Sequence, residues 1–150
     1  MTEASVWDRQ LSRPSANSIL LRPSRGRGRL LYKPAMHELS IAMSIVDLAQ
    51  EESERRGGVQ IKAVYLRLGL LSGVVKEALL SSYEMACEDT SLQGSRLVVE
   101  EVPVLVFCRQ CDAQRPVHST QMFCCSQCGT PTGEVVQGKE LLVVGLEVEG

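Results

Sequence analysis

Apolar residues in the middle of the chain recur at two periods, and each period specifies an element. From Glu38 to Arg56, Leu39, Ala42, Ile45, Val46 and Ala49 fall at i, i+3, i+4 spacing, with acidic residues on the far face. That pattern predicts an amphipathic helix, and Gly57-Gly58 supplies its C-terminal stop. Between Val59 and Gly69 the period changes to two: Val64, Leu66 and Leu68 alternate with Tyr65 and Arg67, the signature of a half-buried strand. Lys76 to Glu88 returns to helical spacing through Leu79, Leu80, Tyr83, Ala86 and Cys87. The valine-rich run from Leu97 to Phe107 predicts a second strand that leads directly into a pair of cysteines. Past a second pair, Leu142, Val144, Leu146 and Val148 alternate with Val143, Gly145, Glu147 and Glu149, a closing strand of period two. The predicted order is helix, strand, helix, strand, cysteine module, strand.

The first 35 residues break this pattern. They contain Pro14, Pro23 and Pro34, scattered serines and the basic run Arg25-Gly26-Arg27-Gly28-Arg29. Their apolar stretches, Ile19-Leu20-Leu21 and Leu30-Leu31-Tyr32, are too short to anchor a core, so residues 1–35 read as a disordered basic leader. An Arg-rich, acid-poor leader can also mimic a transit peptide, which is the minor reading.

Charge separates leader from body. The chain of 150 residues carries a net charge of -2, but residues 1–35 hold seven basic against two acidic residues. The leader is therefore +5 and the body −7, which argues against a nucleic-acid footprint. No apolar run approaches the ~20 residues that cross a bilayer, so no membrane role is expected. Six cysteines and no signal-peptide core point to a reducing, cytoplasmic setting.

Five of those cysteines lie within 21 residues. Cys108-Arg109-Gln110-Cys111 and Cys125-Ser126-Gln127-Cys128-Gly129 are C-x-x-C knuckles, with thirteen residues between Cys111 and Cys125. Each knuckle aims two thiolates at one point, and two knuckles make the closed tetrahedral shell that Zn(II) takes in structural sites. Four protein sulfurs leave no open position for water or substrate, so catalysis at this metal is not expected. Two disulfides, a dithiol redox pair and a four-thiolate iron centre are the alternatives that the ligand set allows. Cys124 creates a second frame, Cys124-x3-Cys128. The Cys125 frame is preferred because it keeps both knuckles alike and puts Gly129, at home at positive φ, after the last ligand. Cys87 reads as a buried small hydrophobe, and His118 as a solvated loop residue or an auxiliary ligand. The expected fold is α+β: a small three-stranded mixed or antiparallel sheet with two helices, residues 36–107 plus 134–150. A zinc-ribbon module, 108–133, is inserted into it.

His37 opens the first helix. Histidine and glutamate are ordinary there, and Glu38 suits the positive end of the helix dipole. With Met36 as first residue the chemistry changes. Its α-amine, the deprotonated amide nitrogen of His37 and the imidazole Nδ1 would form fused five- and six-membered chelate rings, an array suited to Ni(II) or Cu(II).

Met36-His37-Glu38-Leu39-Ser40-Ile41-Ala42 resembles the N-terminus of the HypA/HybF hydrogenase nickel-incorporation proteins. The resemblance covers Met36–Gly150. It takes in Val64-Tyr65-Leu66-Arg67-Leu68-Gly69, both knuckles and Gly138-Lys139-Glu140-Leu141. It implies an accessory metallochaperone, not an enzyme, that delivers Ni(II) to the large subunit of [NiFe]-hydrogenase beside a HypB-type GTPase; some members also serve urease maturation. On this resemblance His37, with Met36 and Glu38 in support, binds nickel as transient cargo, and Cys108, Cys111, Cys125 and Cys128 bind structural zinc. A homodimer is compatible with it. A peptide bond on the Met36 nitrogen would break the chelate, so translation is expected to start at Met36, with residues 1–35 a start-site artefact. The competing functions are a zinc-ribbon nucleic-acid-binding or regulatory module and a rubredoxin-like electron carrier.

Overall fold

The computed structural model describes Ser18–Leu20 and residues 38–149. The elements are β1 (Ser18–Leu20), α1 (Glu38–Arg55), β2 (Ile61–Gly69), α2 (Lys76–Cys87), β3 (Arg96–Val102), β4 (Leu105–Cys108), β5 (Ala113–Pro116), β6 (Val135–Gln137) and β7 (Leu141–Val148). They form two sheets, one ordered β1-β7-β2-β3 and the other β5-β4-β6. The fold is α+β, as the periodicities predict.

Helix α1 buries Ile41, Ala42, Ile45, Val46 and Ala49 on one stripe. It ends where two glycines allow left-handed backbone: Gly57 has φ 85° and Gly58 φ 81°. Gly58 N–H reaches back to Ser53 O at 2.8 Å and Gly57 N–H to Glu54 O at 3.1 Å, which gives two carbonyls of the last turn a partner. Ser53 is itself buried, and its hydroxyl donates to Val59 O at 2.6 Å. From there β2 runs through the centre of the first sheet, parallel to β3 and antiparallel to β7. Helix α2 makes the crossover that a parallel pair requires. Val64, Leu66 and Leu68 of β2 join Leu79 and Tyr83 of α2, Leu97 of β3, and Leu141, Val143 and Leu146 of β7 in one core under both helices. Full burial of each such side chain contributes about 1.5–3 kcal/mol. Cys87 lies in this core, as expected of a small hydrophobe.

Two features depart from the sequence reading. The run Leu97–Phe107 is not one strand: β3 and β4 belong to different sheets and part at Pro103. Proline has no N–H to give a ladder and fixes φ, so the chain turns there and carries its valines into the second sheet. In the leader read as disordered, Ser18–Leu20 pair antiparallel with Glu147, Leu146 and Gly145 of β7 and add a fourth strand to the expected three. Among the described residues β7 has no other partner strand on that side, and three extended residues meet part of its edge. The remainder of residues 1–37 lies outside the described residues.

The two sheets are tied together by backbone. Leu70 N–H donates to Val102 O at 3.1 Å, where the chain leaves the first sheet. Gly69 N–H donates to Glu140 O and Leu71 N–H to Gly138 O, both at 2.7 Å, where the chain returns. This clasp has no room for a side chain at position 69. A Cβ there would overlap the Gly138 carbonyl and lie 2.6 Å from Glu140 N. Gly138 is equally confined, with φ 122° and Val104 against it. Gly69→Ala is therefore expected to destabilise the protein by about 1–3 kcal/mol, the range for overpacking. Gly133→Ala, where a Cβ meets nothing within 4 Å, should stay within about 0.5 kcal/mol. Urea unfolding of the two variants checks this, and equal effects would contradict the clasp.

Candidate metal centre

Each knuckle is built by a turn that its own residues favour. Strand β4 ends at Cys108, and the chain reverses through Arg109, Gln110, Cys111 and Asp112 to pair Ala113 of β5 with Cys108. Asp112 closes this turn at φ 51°, a left-handed conformation that aspartate tolerates better than most residues. The second knuckle closes the same way on Gly129 at φ 74°, which fits the preference for the Cys125 frame. Gly129 N–H donates to Cys125 O, and Cys125 N–H to Thr130 O, each at 2.9 Å. The turn is then tied to the second sheet. The Thr132 hydroxyl donates to Phe107 O at 2.7 Å and Phe107 N–H to Glu134 O at 2.8 Å.

These turns bring four sulfurs together. The Sγ atoms of Cys108, Cys111, Cys125 and Cys128 all lie within 4.8 Å of one another. Cys108 and Cys128 sulfurs are 3.6 Å apart, and Cys111 and Cys125 sulfurs 3.9 Å. Zinc–sulfur bonds of about 2.3 Å in a regular tetrahedron place the sulfurs roughly 3.8 Å from each other, and the 3.6 and 3.9 Å pairs lie near that separation, so the group could hold one metal ion. The separations are nearly double the ~2.05 Å of a disulfide, and the cysteines are free thiols. Cys108 and Cys125 are buried, Cys111 is half-buried and Cys128 is exposed. Cys124 and His118 stay outside the four-residue group. His118 is exposed, and Cys124 N–H donates to Met122 O at 3.1 Å.

The thiols are not equivalent. Cys128 Sγ lies 3.1 Å from Thr130 Oγ1, and that hydroxyl, with the Thr130 backbone, lowers the Cys128 pKa to about 6. Backbone N–H groups of Cys128 and Gln127 lower Cys125 as well; the Gln127 N–H is 3.4 Å from its sulfur. Cys111 is pushed up to about 12, chiefly by its contact with the Cys128 sulfur and then by burial. A metal held here would meet a thiolate at Cys128 and would have to displace the proton of Cys111, so its affinity is expected to fall with falling pH. Thr130 went unrecognised in the sequence; its signal was a hydroxyl two residues beyond the last ligand. Arg109 and Glu134 form a bidentate pair at 2.7 and 3.3 Å near the first knuckle, exposed enough to add little stability.

Of the residues expected at the nickel site, Met36 and His37 lie outside the described residues. Glu38 is the first residue of α1 and is half-buried. Its Oε1 accepts from Val75 N–H, the N-cap of α2, at 3.4 Å. The carboxylate thus sits at the positive end of α2 and places the α1 start beside it.

Known proteins resemble this chain over the same stretch. A family model described as "Hydrogenase/urease nickel incorporation, metallochaperone, hypA" matches residues 36–148. "Hydrogenase maturation factor HypA" of Chloroflexus aurantiacus is 46% identical over 112 residues, which span 75% of this chain and 98% of that protein. "Hydrogenase maturation factor HybF" of Klebsiella pneumoniae is 33% identical over 114 residues, 76% of this chain and all of that protein. Among solved structures, one titled "Solution structure of HypA protein" has TM-score 0.59 at 22% identity, covering 77% of this chain and 98% of that one. The Ni metallochaperone HypA from Helicobacter pylori has TM-score 0.54 at 23% identity, covering 75% of this chain and 97% of that one. At such identities the structural likeness speaks for the fold alone. The family model and the sequence relatives go further: this chain belongs to the HypA/HybF family of hydrogenase maturation factors.

Proposed function

We propose that the protein is a nickel metallochaperone, an accessory factor and not an enzyme, working in the cytoplasm. It captures Ni(II) at the start of α1 and delivers it to the large subunit of [NiFe]-hydrogenase, or to urease, with a HypB-type GTPase as partner. The family match over residues 36–148, which opens on Met36-His37-Glu38, carries this reading. The His37 imidazole and amide nitrogen and a free Met36 amine supply the nitrogen donors that Ni(II) favours. Glu38 is the supporting oxygen ligand and is already held at the helix start through Val75. Among the described residues no helix is long and apolar enough to cross a membrane.

Structural Zn(II) is held by Cys108, Cys111, Cys125 and Cys128, whose sulfur spacing supports that assignment. With all four positions filled by sulfur, the bound ion holds the two knuckles and the strands that carry them. It does not take up the cargo. The division of labour follows from donor chemistry: a closed thiolate shell retains its metal, whereas an open nitrogen and oxygen set at a chain end can release one to a partner.

Two experiments test the two sites separately. Chains beginning at Met36 should bind one Ni(II) in isothermal titration, and both His37→Ala and the chain beginning at Met1 should bind at least about tenfold more weakly. Amine and imidazole, with reference pKa values near ~7.8 and ~6.5, bind metal only when deprotonated, so nickel affinity should fall as pH drops through that range. Equal nickel binding by all three chains would refute the site. For zinc, elemental analysis of purified protein should find one ion in the parent and in Cys124→Ser and substantially less in Cys125→Ser. Zinc retained in Cys125→Ser and lost in Cys124→Ser would transfer the ligand role to Cys124.

A further inference from the structure

The four sulfurs of the cysteine group sit at different depths. Cys108 and Cys125 are 0% and 3% exposed, and Cys111 is half-buried. All six cysteines lie among the described residues, and only Cys128 is exposed. Its neighbours Gln127 and Gly129 are exposed as well, and a Cβ added to Gly129 would meet nothing within 4 Å. Solvent therefore reaches the group past the end of the second knuckle. The buried sulfurs are also held by more structure. Cys108 ends β4 and pairs with Ala113, while Cys125 Sγ lies 3.4 Å from the Gln127 N–H.

Thr130, from outside the group, touches the exposed sulfur: its Oγ1 lies 3.1 Å from Cys128 Sγ. Thr130 is half-buried, and its carbonyl accepts from Cys125 N–H at 2.9 Å, so the hydroxyl is offered from a fixed backbone. Once the sulfur is a thiolate, only the hydroxyl has a proton to give, and it donates to the charge.

We propose that Cys128 is a modification site, the sulfur at which soft electrophiles react with the metal-loaded group, and that Thr130 is the positioning residue that holds and moderates it. The proposal rests on the zinc assignment for these four cysteines, under which every sulfur of the group is a thiolate. An electron-poor alkene such as a maleimide is the simplest reagent of this class. The Cys128 Sγ lone pair forms the new S–C bond, the alkene π pair moves to the neighbouring carbon, and that carbon takes a proton from water. No oxidant or reductant is needed. The product is a neutral thioether where the shell had a thiolate, the form that serves as nucleophile and metal ligand. Reaction at the exposed position thus opens the group without any reagent entering its interior. The Thr130 hydroxyl works against this. A hydrogen bond equivalent to about tenfold in acidity lowers thiolate nucleophilicity roughly threefold.

The test adds limiting N-ethylmaleimide to the full-length Cys124→Ser protein. That variant removes the half-exposed thiol outside the group and leaves the four sulfurs in place. Zinc content is measured on the same samples, labelled cysteines are mapped by mass spectrometry, and a coloured chelator reads released zinc. Cys128 should label at least about tenfold faster than Cys108, Cys111 or Cys125, following its exposure. Zinc should be released in step with that label. With Thr130→Val added, Cys128 should label roughly threefold faster while the other three stay slow, and Thr130→Ser should keep the parent rate. A merely structural role for Thr130 would instead speed all four. In zinc-loaded protein, equal labelling of the four, faster labelling at another of them, or zinc retained after Cys128 is labelled overturns the proposal. The part given to Thr130 is overturned if Thr130→Val leaves the Cys128 rate unchanged or lowers it, or if Thr130→Ser behaves like Thr130→Val. Protein that purifies without zinc overturns the zinc assignment, and this proposal falls with it.

Discussion

Three backbone hydrogen bonds from Gly69, Leu70 and Leu71 hold the molecule together at the point where the chain enters and leaves its cysteine module. Leu70 takes hold of the outgoing strand at Val102, and Gly69 and Leu71 hold the returning one at Glu140 and Gly138. The contact is possible because two glycines let backbone approach backbone at distances that exclude a Cβ. Everything beyond it follows from that placement. β3 and β7 flank β2 in the first sheet, and the segment between them is closed off as a second unit with its own sheet. The module is an insertion whose two ends are pinned beside each other.

The two units are stabilised differently. The α1, α2 and four-strand unit has a continuous apolar core in which Ile45, Leu66, Leu79, Tyr83, Leu141 and Leu146 are almost fully enclosed. Between residues 104 and 137 the buried apolar side chains are Val104, Val106, Cys108 and Cys125, and none joins that core. Two of the four are cysteines of the four-sulfur group. Too little apolar surface is removed from water there to offset the cost of ordering some thirty residues at about 1–2 kcal/mol each. On the proposed function, metal coordination by the four cysteines offsets that cost, since in small thiolate modules the binding free energy is folding free energy.

How much of this was legible in the sequence depended on how local the physics is. Both helices and the central strand could be read because burial follows their own periods. α1 ends on Gly57-Gly58 because a left-handed residue must follow its last turn. The four-sulfur array was legible because C-x-x-C geometry is fixed within four residues and two such turns need only meet. What failed was non-local or short. Pro103 stood in plain view, yet the valines on either side concealed that β3 and β4 serve different sheets. β5 and β6, four and three residues long, are too short to show a period. The Gly69 clasp joins residues almost seventy positions apart, and nothing around Gly69 distinguishes it from a turn glycine. β1 had the same difficulty: Ile19-Leu20 becomes a strand only because β7 offers an edge at the other end of the chain.

A metal-dependent module pinned to a metal-independent domain is the central claim, and zinc removal tests it most directly. Amide NMR spectra of the zinc-loaded protein, recorded before and after chelation, report on each unit separately. Signals from residues 104–137 should collapse into the unfolded range on chelation and return with one equivalent of zinc. Those from α1, α2, β2 and the core of β7 should keep their dispersion, with shifts confined to the surroundings of Gly69. An unchanged spectrum of the module after the metal has gone would contradict the account, as would simultaneous loss of both units.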